Sequence, residues 1–175
     1  MIAPAPGGDQ GMVAAGLLAI PVSAGALIFD SAGRLLILKP TYKKGWTIPG
    51  GIMEPGGETP WDACRREVRE ECGVEVTSGR LACVDFRRAR RARPPGPAGP
   101  ARLGGIRFLF DCGPAADVTL AAITLQPEEI AEHRLVPLET AFTLLRPPIR
   151  RRVRAATQHR QFIYLENGRP VPAVS

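Results

Sequence analysis

The stretch that most constrains this chain is Gly50 to Val74, GGIMEPGGETPWDACRREVREECGV. A glycine-rich loop runs directly into a segment carrying both the start and the stop signals of a helix. Thr59 is a favoured N-cap, Pro60 fits the first helical position, and Asp62 stands three residues after Thr59 in an approximate capping box. Gly73 can close the helix in the left-handed conformation. A helix over Pro60–Cys72 is therefore expected. Residues three and four apart share a helical face. Glu67, Glu70 and Glu71 thus cluster beside an apolar stripe of Trp61, Cys64, Val68 and Cys72.

Like charges at this spacing cost a few tenths of a kcal/mol each when exposed, roughly what a solvated acidic face offset by Arg65, Arg66 and Arg69 would tolerate. A divalent cation among the carboxylates is the functional reading. Mg²⁺ prefers oxygen ligands and keeps several waters. It attracts phosphate oxygens, stabilises developing charge and acidifies a water nucleophile. Hydrolysis of a phosphoanhydride is the simplest reaction that uses all of these properties.

The segment resembles the signature of the Nudix hydrolases, G-x5-E-x7-R-E-U-x-E-E-x-G-U, where U is a bulky apolar residue. The match is complete from Glu58 to Val74. Gly51 precedes Glu58 by six intervening residues, not five, and the doubled Gly56-Gly57 accommodates the extra residue as a bulge. The resemblance implies an α/β (α+β) fold, an α/β/α sandwich around a central mixed β-sheet. It implies a Mg²⁺-dependent hydrolase, with Mn²⁺ as a substitute, cleaving the diphosphate of a nucleoside diphosphate linked to another group. Glu67, Glu70 and Glu71 would be the metal ligands, joined by a loop carbonyl at Gly50 or, as we assign it, Gly51. Arg66 would orient the carboxylates and Glu58 would hold the loop against the helix. Glu67 is a candidate general base; so is a later glutamate, Glu128 or Glu129 in QPEEIAEHRLVPLE. Substrate-binding candidates are Arg88, Lys39 and Glu128.

The chain has 175 residues, enough for one domain with a sizeable core. We expect a flexible tail over residues 1–18, the catalytic domain over 19–165 and a C-terminal tail over 166–175. The apolar stretch before Phe29 contains Pro21 and lacks a basic start, which favours a tail entering a buried strand over a secretory signal. Four cysteines without a C-x-x-C pair are read as reduced thiols in a cytoplasmic protein that binds no membrane. The net charge of +6 suits anionic ligands.

Val22–Phe29 and Arg34–Leu38 read as a hairpin across the turn Asp30-Ser31-Ala32-Gly33. Further strands are expected at Leu81–Phe86, Ile106–Cys112 and, more weakly, Val118–Leu125. Pro137–Leu145 and the segment after Pro148 read as helices. Arg87–Arg102 is rich in arginine and proline and reads as a mobile loop or a cationic lid. It has no aromatic residues for stacking bases, so no specific nucleic-acid partner is expected. Lys43 and Lys44 could reach phosphates. Trp46 reads as packing, and the basic run Arg146–Arg154 is assigned no catalytic role. A small-molecule nucleotide or other diphosphate is the expected partner, with a homodimer left open. The competing functions are a non-catalytic nucleotide sensor on the same fold and RNA cap removal.

Overall fold

The computed structural model of the chain describes residues 19–89 and 104–174. The expected N-terminal tail and most of the Arg87–Arg102 loop lie outside the described residues.

In chain order the elements are β1 (Val22–Phe29), β2 (Leu35–Pro40), β3 (Gly50–Ile52), α1 (Pro60–Cys72), β4 (Arg80–Arg87), β5 (Gly105–Pro114) and α2 (Asp117–Ala121). They continue with β6 (Ile130–Val136), α3 (Leu138–Leu144), α4 (Pro147–Gln158), β7 (Ile163–Glu166) and β8 (Arg169–Pro170). The strands form one mixed sheet in the order β6-β2-β1-β5-β4-β7-β8, with β3 pairing β1. The β1–β5 and β4–β7 pairs are parallel, and the others are antiparallel.

Strand alternation divides the core between the two faces of this sheet. On β1, Ala24, Ala26 and Ile28 pack with Cys64, Val68 and Cys72 of α1. Leu27 faces the other way and joins Leu109, Phe142, Ile149 and Val153, the last three from α3 and α4. Helices therefore cover both faces, and the α/β/α sandwich with a central mixed sheet stands.

The β1–β2 hairpin forms as its turn residues predict. Asp30 accepts from the backbone N–H groups of Ala32 and Arg34 at 3.1 and 2.7 Å and fixes the turn. All four cysteines carry free thiols. Trp46 is buried in the core on the α3/α4 face, with the Arg134 guanidinium 4.7 Å from its ring.

Three features depart from expectation. Val118–Leu125 forms no strand; residues Asp117–Ala121 make the short helix α2, in which the Thr119 and Leu120 N–H groups bond back to the Ala116 carbonyl. A short apolar run does not separate helix from strand by periodicity alone. Ile130–Val136 is a strand pairing β2, hidden in the sequence because its exposed side chains are charged. The sheet also runs past the expected boundary at residue 165, through the hairpin of β7 and β8. Its turn is Asn167-Gly168, both at positive φ, the pairing that two-residue hairpins favour. No helix among the described residues is long and apolar enough to cross a membrane.

Candidate active site

The site begins with α1. Thr59 Oγ1 accepts from the Asp62 N–H at 3.2 Å, and Asp62 accepts from the Thr59 N–H at 3.2 Å. The capping box thus forms as read, and Gly73 closes the helix with its N–H on the Arg69 carbonyl. The loop before it carries its extra residue at Gly56-Gly57, at φ of 107° and 98°, where a Cβ on either residue would point into open space. The insertion therefore swells outward and leaves the helix register intact.

Between loop and helix the contacts are close. β3 lies against β1, with Ala24 opposite Gly51 and Gly25 opposite Gly50. A Cβ at Gly51 would overlap the Glu67 carboxylate and push it from its place beside the strand. Glu71 is buried and accepts from the Gly50 N–H at 2.7 Å. Burial pushes its carboxyl up to about 8; the Gly50 hydrogen bond opposes this, and the charges of Glu67 and Glu129 add to it. Burial also raises Glu67, against the pull of Arg66.

Arg66 is the organising cation. It donates to Glu58 at 2.7 Å, to Glu67 at 2.9 Å, to Glu70 at 3.1 Å and to the Ile52 carbonyl at 3.0 Å. One guanidinium thereby ties β3, the loop glutamate and two helix carboxylates together. The Glu58 hydrogen bond leads in raising Arg66 further above its ordinary value. Glu58 also accepts from the Glu54 N–H, which holds the loop down on the helix.

A cleft of about 720 Å³ opens over these groups. Glu67, Glu71, Gly51, Arg66 and Glu129 line one side of it. Arg87, Arg107, Arg146, Arg152 and Lys43 line the rest, with Tyr42 also present. Tyr42 is raised by burial and then by the charges of Glu71 and Glu129, with Arg146 opposing. Arg146 Nε is buried with no hydrogen-bond partner among the described residues.

The sequence-named residues divide accordingly. Glu67, Glu71, Arg66 and Gly51 come together in the cleft. Glu70 is half-exposed, outside the lining, and linked to it through Arg66. Of the two later glutamates, Glu129 lines the cleft; Glu128 does not, and its carbonyl accepts from Thr41 Oγ1 at 2.8 Å. Lys39 lies 3.8 Å from Glu132, and Arg88 donates to Glu166 at 2.7 Å; neither lines the cleft. The basic run assigned no role supplies Arg146 and Arg152.

Signals for the missed cations were present. Arg152 stands three residues after Ile149 and four before Ala156, both buried, so it shares the inward face of α4. Arg107 and Leu109 share one face of β5, while Phe108 and Phe110 pack on the other. Arg87 continues β4 one residue beyond the expected end, on the same side as Cys83 and Asp85.

The donor set suits a hard divalent cation. It consists of carboxylate and carbonyl oxygens, with the Glu67 carboxylate packed directly against Gly51. Among the described residues no three acidic, histidine or cysteine side chains converge as a ready-made cage. Arg66 draws Glu67 and Glu70, and the Gly50 N–H draws Glu71. An ion that keeps most of its own water needs only one or two carboxylates to be held.

A family profile for the NUDIX domain matches residues 19–159. The nucleoside triphosphatase NudI of Enterobacter sp. (strain 638) is 34% identical over 98 residues, covering 53% of this chain and 69% of that protein. The human diphosphoinositol polyphosphate phosphohydrolase 3-alpha is 49% identical over 47 residues, 27% of this chain; the match spans only about a quarter (28%) of that protein's length. The NUDIX domain of Shewanella oneidensis NrtR, solved in complex with ADP ribose, superposes with a TM-score of 0.63 at 15% identity, over 81% of this chain and 89% of that one. That likeness is one of fold.

Proposed function

The chain belongs to the Nudix family of pyrophosphohydrolases, and from that premise we propose that it cleaves a phosphoanhydride in a nucleoside diphosphate linked to another group, with a divalent cation held at α1. One observation carries this reading. Two carboxylates, the buried Glu71 and the partly buried Glu67, share a cleft with Glu129 and face a wall of arginines. A carboxyl raised by burial beside like charges gains most from a bound cation, and the opposite wall suits the phosphates that such a cation serves.

Glu67 and Glu71 would hold Mg²⁺ with the carbonyl side of Gly51, and Glu70 would complete the set once released from Arg66. When bound there, the cation would supply charge neutralisation and an acidified water. Arg66 keeps the carboxylates aimed while fixing β3 to the helix. Glu129, which reaches the cleft where Glu128 does not, is placed to take a proton from the attacking water; Glu67 is the other candidate. Lys43 and Arg146 stand at the cleft to orient substrate phosphate. NudI is named a nucleoside triphosphatase, which supports a nucleotide as the substrate class.

The test is release of phosphate or pyrophosphate from a nucleotide panel with Mg²⁺. Wild type is expected to turn over at least one member, and Glu71→Gln to lose that activity. Tight nucleotide binding without turnover across metals and pH would instead assign the chain a sensing role.

A further inference from the structure

The cationic side of the cleft contains more positive charge than the scissile diphosphate needs. Across the sheet from Gly51 of β3 comes Ser23–Ala24 of β1, then Arg107 of β5 opposite Ser23, then Asp85 of β4 opposite Arg107. Arg87 lies two residues on from Asp85, on the same side of β4. Arg152 reaches this point from α4 and donates to Asp85 at 3.2 Å. β1 thus separates Arg107 from Gly51 by two strand spacings, or about 10 Å, and Arg87 lies one strand further on.

Three arginines line this part of the cleft, and one carboxylate, Asp85, lies beside them. Asp85 is already engaged, accepting from the Gly168 N–H at 2.7 Å as well as from Arg152. Arg107 faces Asp85 in the ladder, yet it donates only to the carbonyls of Pro21 and Ile106, at 3.3 and 3.1 Å. Among the described residues no carboxylate pairs with Arg87 or Arg107. Burial leads in lowering both Arg107 and Arg152, and for Arg107 the charges of Arg152 and Arg87 follow. A buried Asp85–Arg152 pair would by itself anchor α4 on the sheet. It gives no reason for two more arginines, each raising the electrostatic cost of the other.

We infer that Arg87, Arg107 and Arg152 form a second anion subsite, which takes a phosphate group beyond the scissile diphosphate. Planar guanidinium forks match phosphate oxygens bidentately, and several forks can share one dianion. The favoured substrate therefore carries at least one further phosphate on the side away from α1. A diphosphate linked to a neutral sugar or alcohol leaves the subsite empty. The inference rests on the hydrolase reading for its link to substrate choice, but the subsite itself can be tested without turnover.

Calorimetry in EDTA, with inorganic tripolyphosphate, orthophosphate and citrate as probes, isolates the cationic wall from the metal. Wild type is expected to bind tripolyphosphate well above the other two. Arg107→Gln and Arg87→Gln each weaken that binding about tenfold or more, the size expected for a hydrogen bond between charged groups. Arg107→Lys keeps part of the affinity, and Arg160→Gln, exposed just beyond the end of α4, leaves it unchanged. Arg87→Gln spares the Asp85–Arg152 pair, so it remains informative if Arg107→Gln does not fold. Equal tripolyphosphate affinity in wild type and Arg87→Gln would overturn the inference, as would citrate binding as tightly as tripolyphosphate. Kinetics separate the two readings. Turnover of a nucleotide panel with a KM indifferent to Arg107→Gln removes the subsite and leaves the hydrolase. Arginine-dependent tripolyphosphate binding with no turnover of any phosphoanhydride removes the hydrolase and leaves the subsite.

Discussion

The two sides of the cleft are built by different means. The acidic side comes almost entirely from one stretch of chain, Gly50 to Glu71, where a capped helix, a tight loop and a short strand fix one another. The cationic side gathers single residues from β4, β5 and α4, brought together only when the sheet closes. The first is local chemistry held in register by Arg66. The second is a product of topology. A bound substrate would lie between them, its scissile diphosphate at the cation-holding carboxylates and a further phosphate at the guanidinium groups.

This contrast can be broken most severely at the acidic side. Glu71→Gln and Glu67→Gln are expected to lower kcat by about 100-fold or more, in the range found when one charge-stabilising group is removed from a catalytic site. Steady-state rates with saturating Mg²⁺ measure it. A half-exposed Glu70 should cost less when changed to Gln, and equal losses at all three positions would show the carboxylates acting as one unit.

Next in size is Arg66. It touches no reacting atom, so it is a positioning residue. Arg66→Gln is expected to cost about 10–100-fold in kcat or metal affinity, as for partners that orient ligands. It should also lower Tm, because Glu58, Glu67 and Glu70 lose a shared donor. Loss of Tm with activity intact would make Arg66 structural alone.

The pH dependence sharpens the comparison from the stability side. Glu71 is raised in the folded state from 4.5 to about 8. Between those values the folded protein holds a proton that the unfolded chain has lost. Its contribution is therefore fully present below about 4.5 and is lost as pH rises through about 8. Metal-free protein should lose a few degrees of Tm between pH 6 and 8.5, roughly the shift of a kcal/mol-scale change. Adding Mg²⁺ at the upper end should restore it, and Glu71→Gln should flatten the slope. Thermal melts in EDTA across this range provide the check.

The smallest effects belong to the surface. Arg88→Ala and Lys39→Ala each remove one exposed ion pair, to Glu166 and Glu132. Activity should change by less than about twofold, since such pairs contribute little. A large rise in KM for either would restore it to the substrate-binding set.

The sequence revealed the two sides unequally for the same physical reason. α1 was legible to the residue because its cap, its proline and its stop are nearest-neighbour signals, and its carboxylates follow from helical spacing. The hairpin after β1 was legible from Asp30 and Gly33. β6 was obscured by its charged exposed side chains, and the β7–β8 turn by its place in an apparent tail, although Asn167-Gly168 marked it. A strand read as ending at Phe86 leaves Arg87 in the loop, whereas β4 includes it and strand alternation sets it on the side of Asp85. Which arginines face one another depends on β1 lying beside β5, a pairing across more than eighty residues that no local pattern contains.

The central claim is that Glu67 and Glu71 capture a divalent cation where a phosphoanhydride meets it. The most direct measurement is Mg²⁺ titration calorimetry on wild type and Glu71→Gln, with and without a non-hydrolysable nucleoside triphosphate analogue. Saturable uptake by wild type, tightened by the nucleotide and lost in Glu71→Gln, is the expected result. Equal uptake by both proteins, or none by either with nucleotide present, would contradict it.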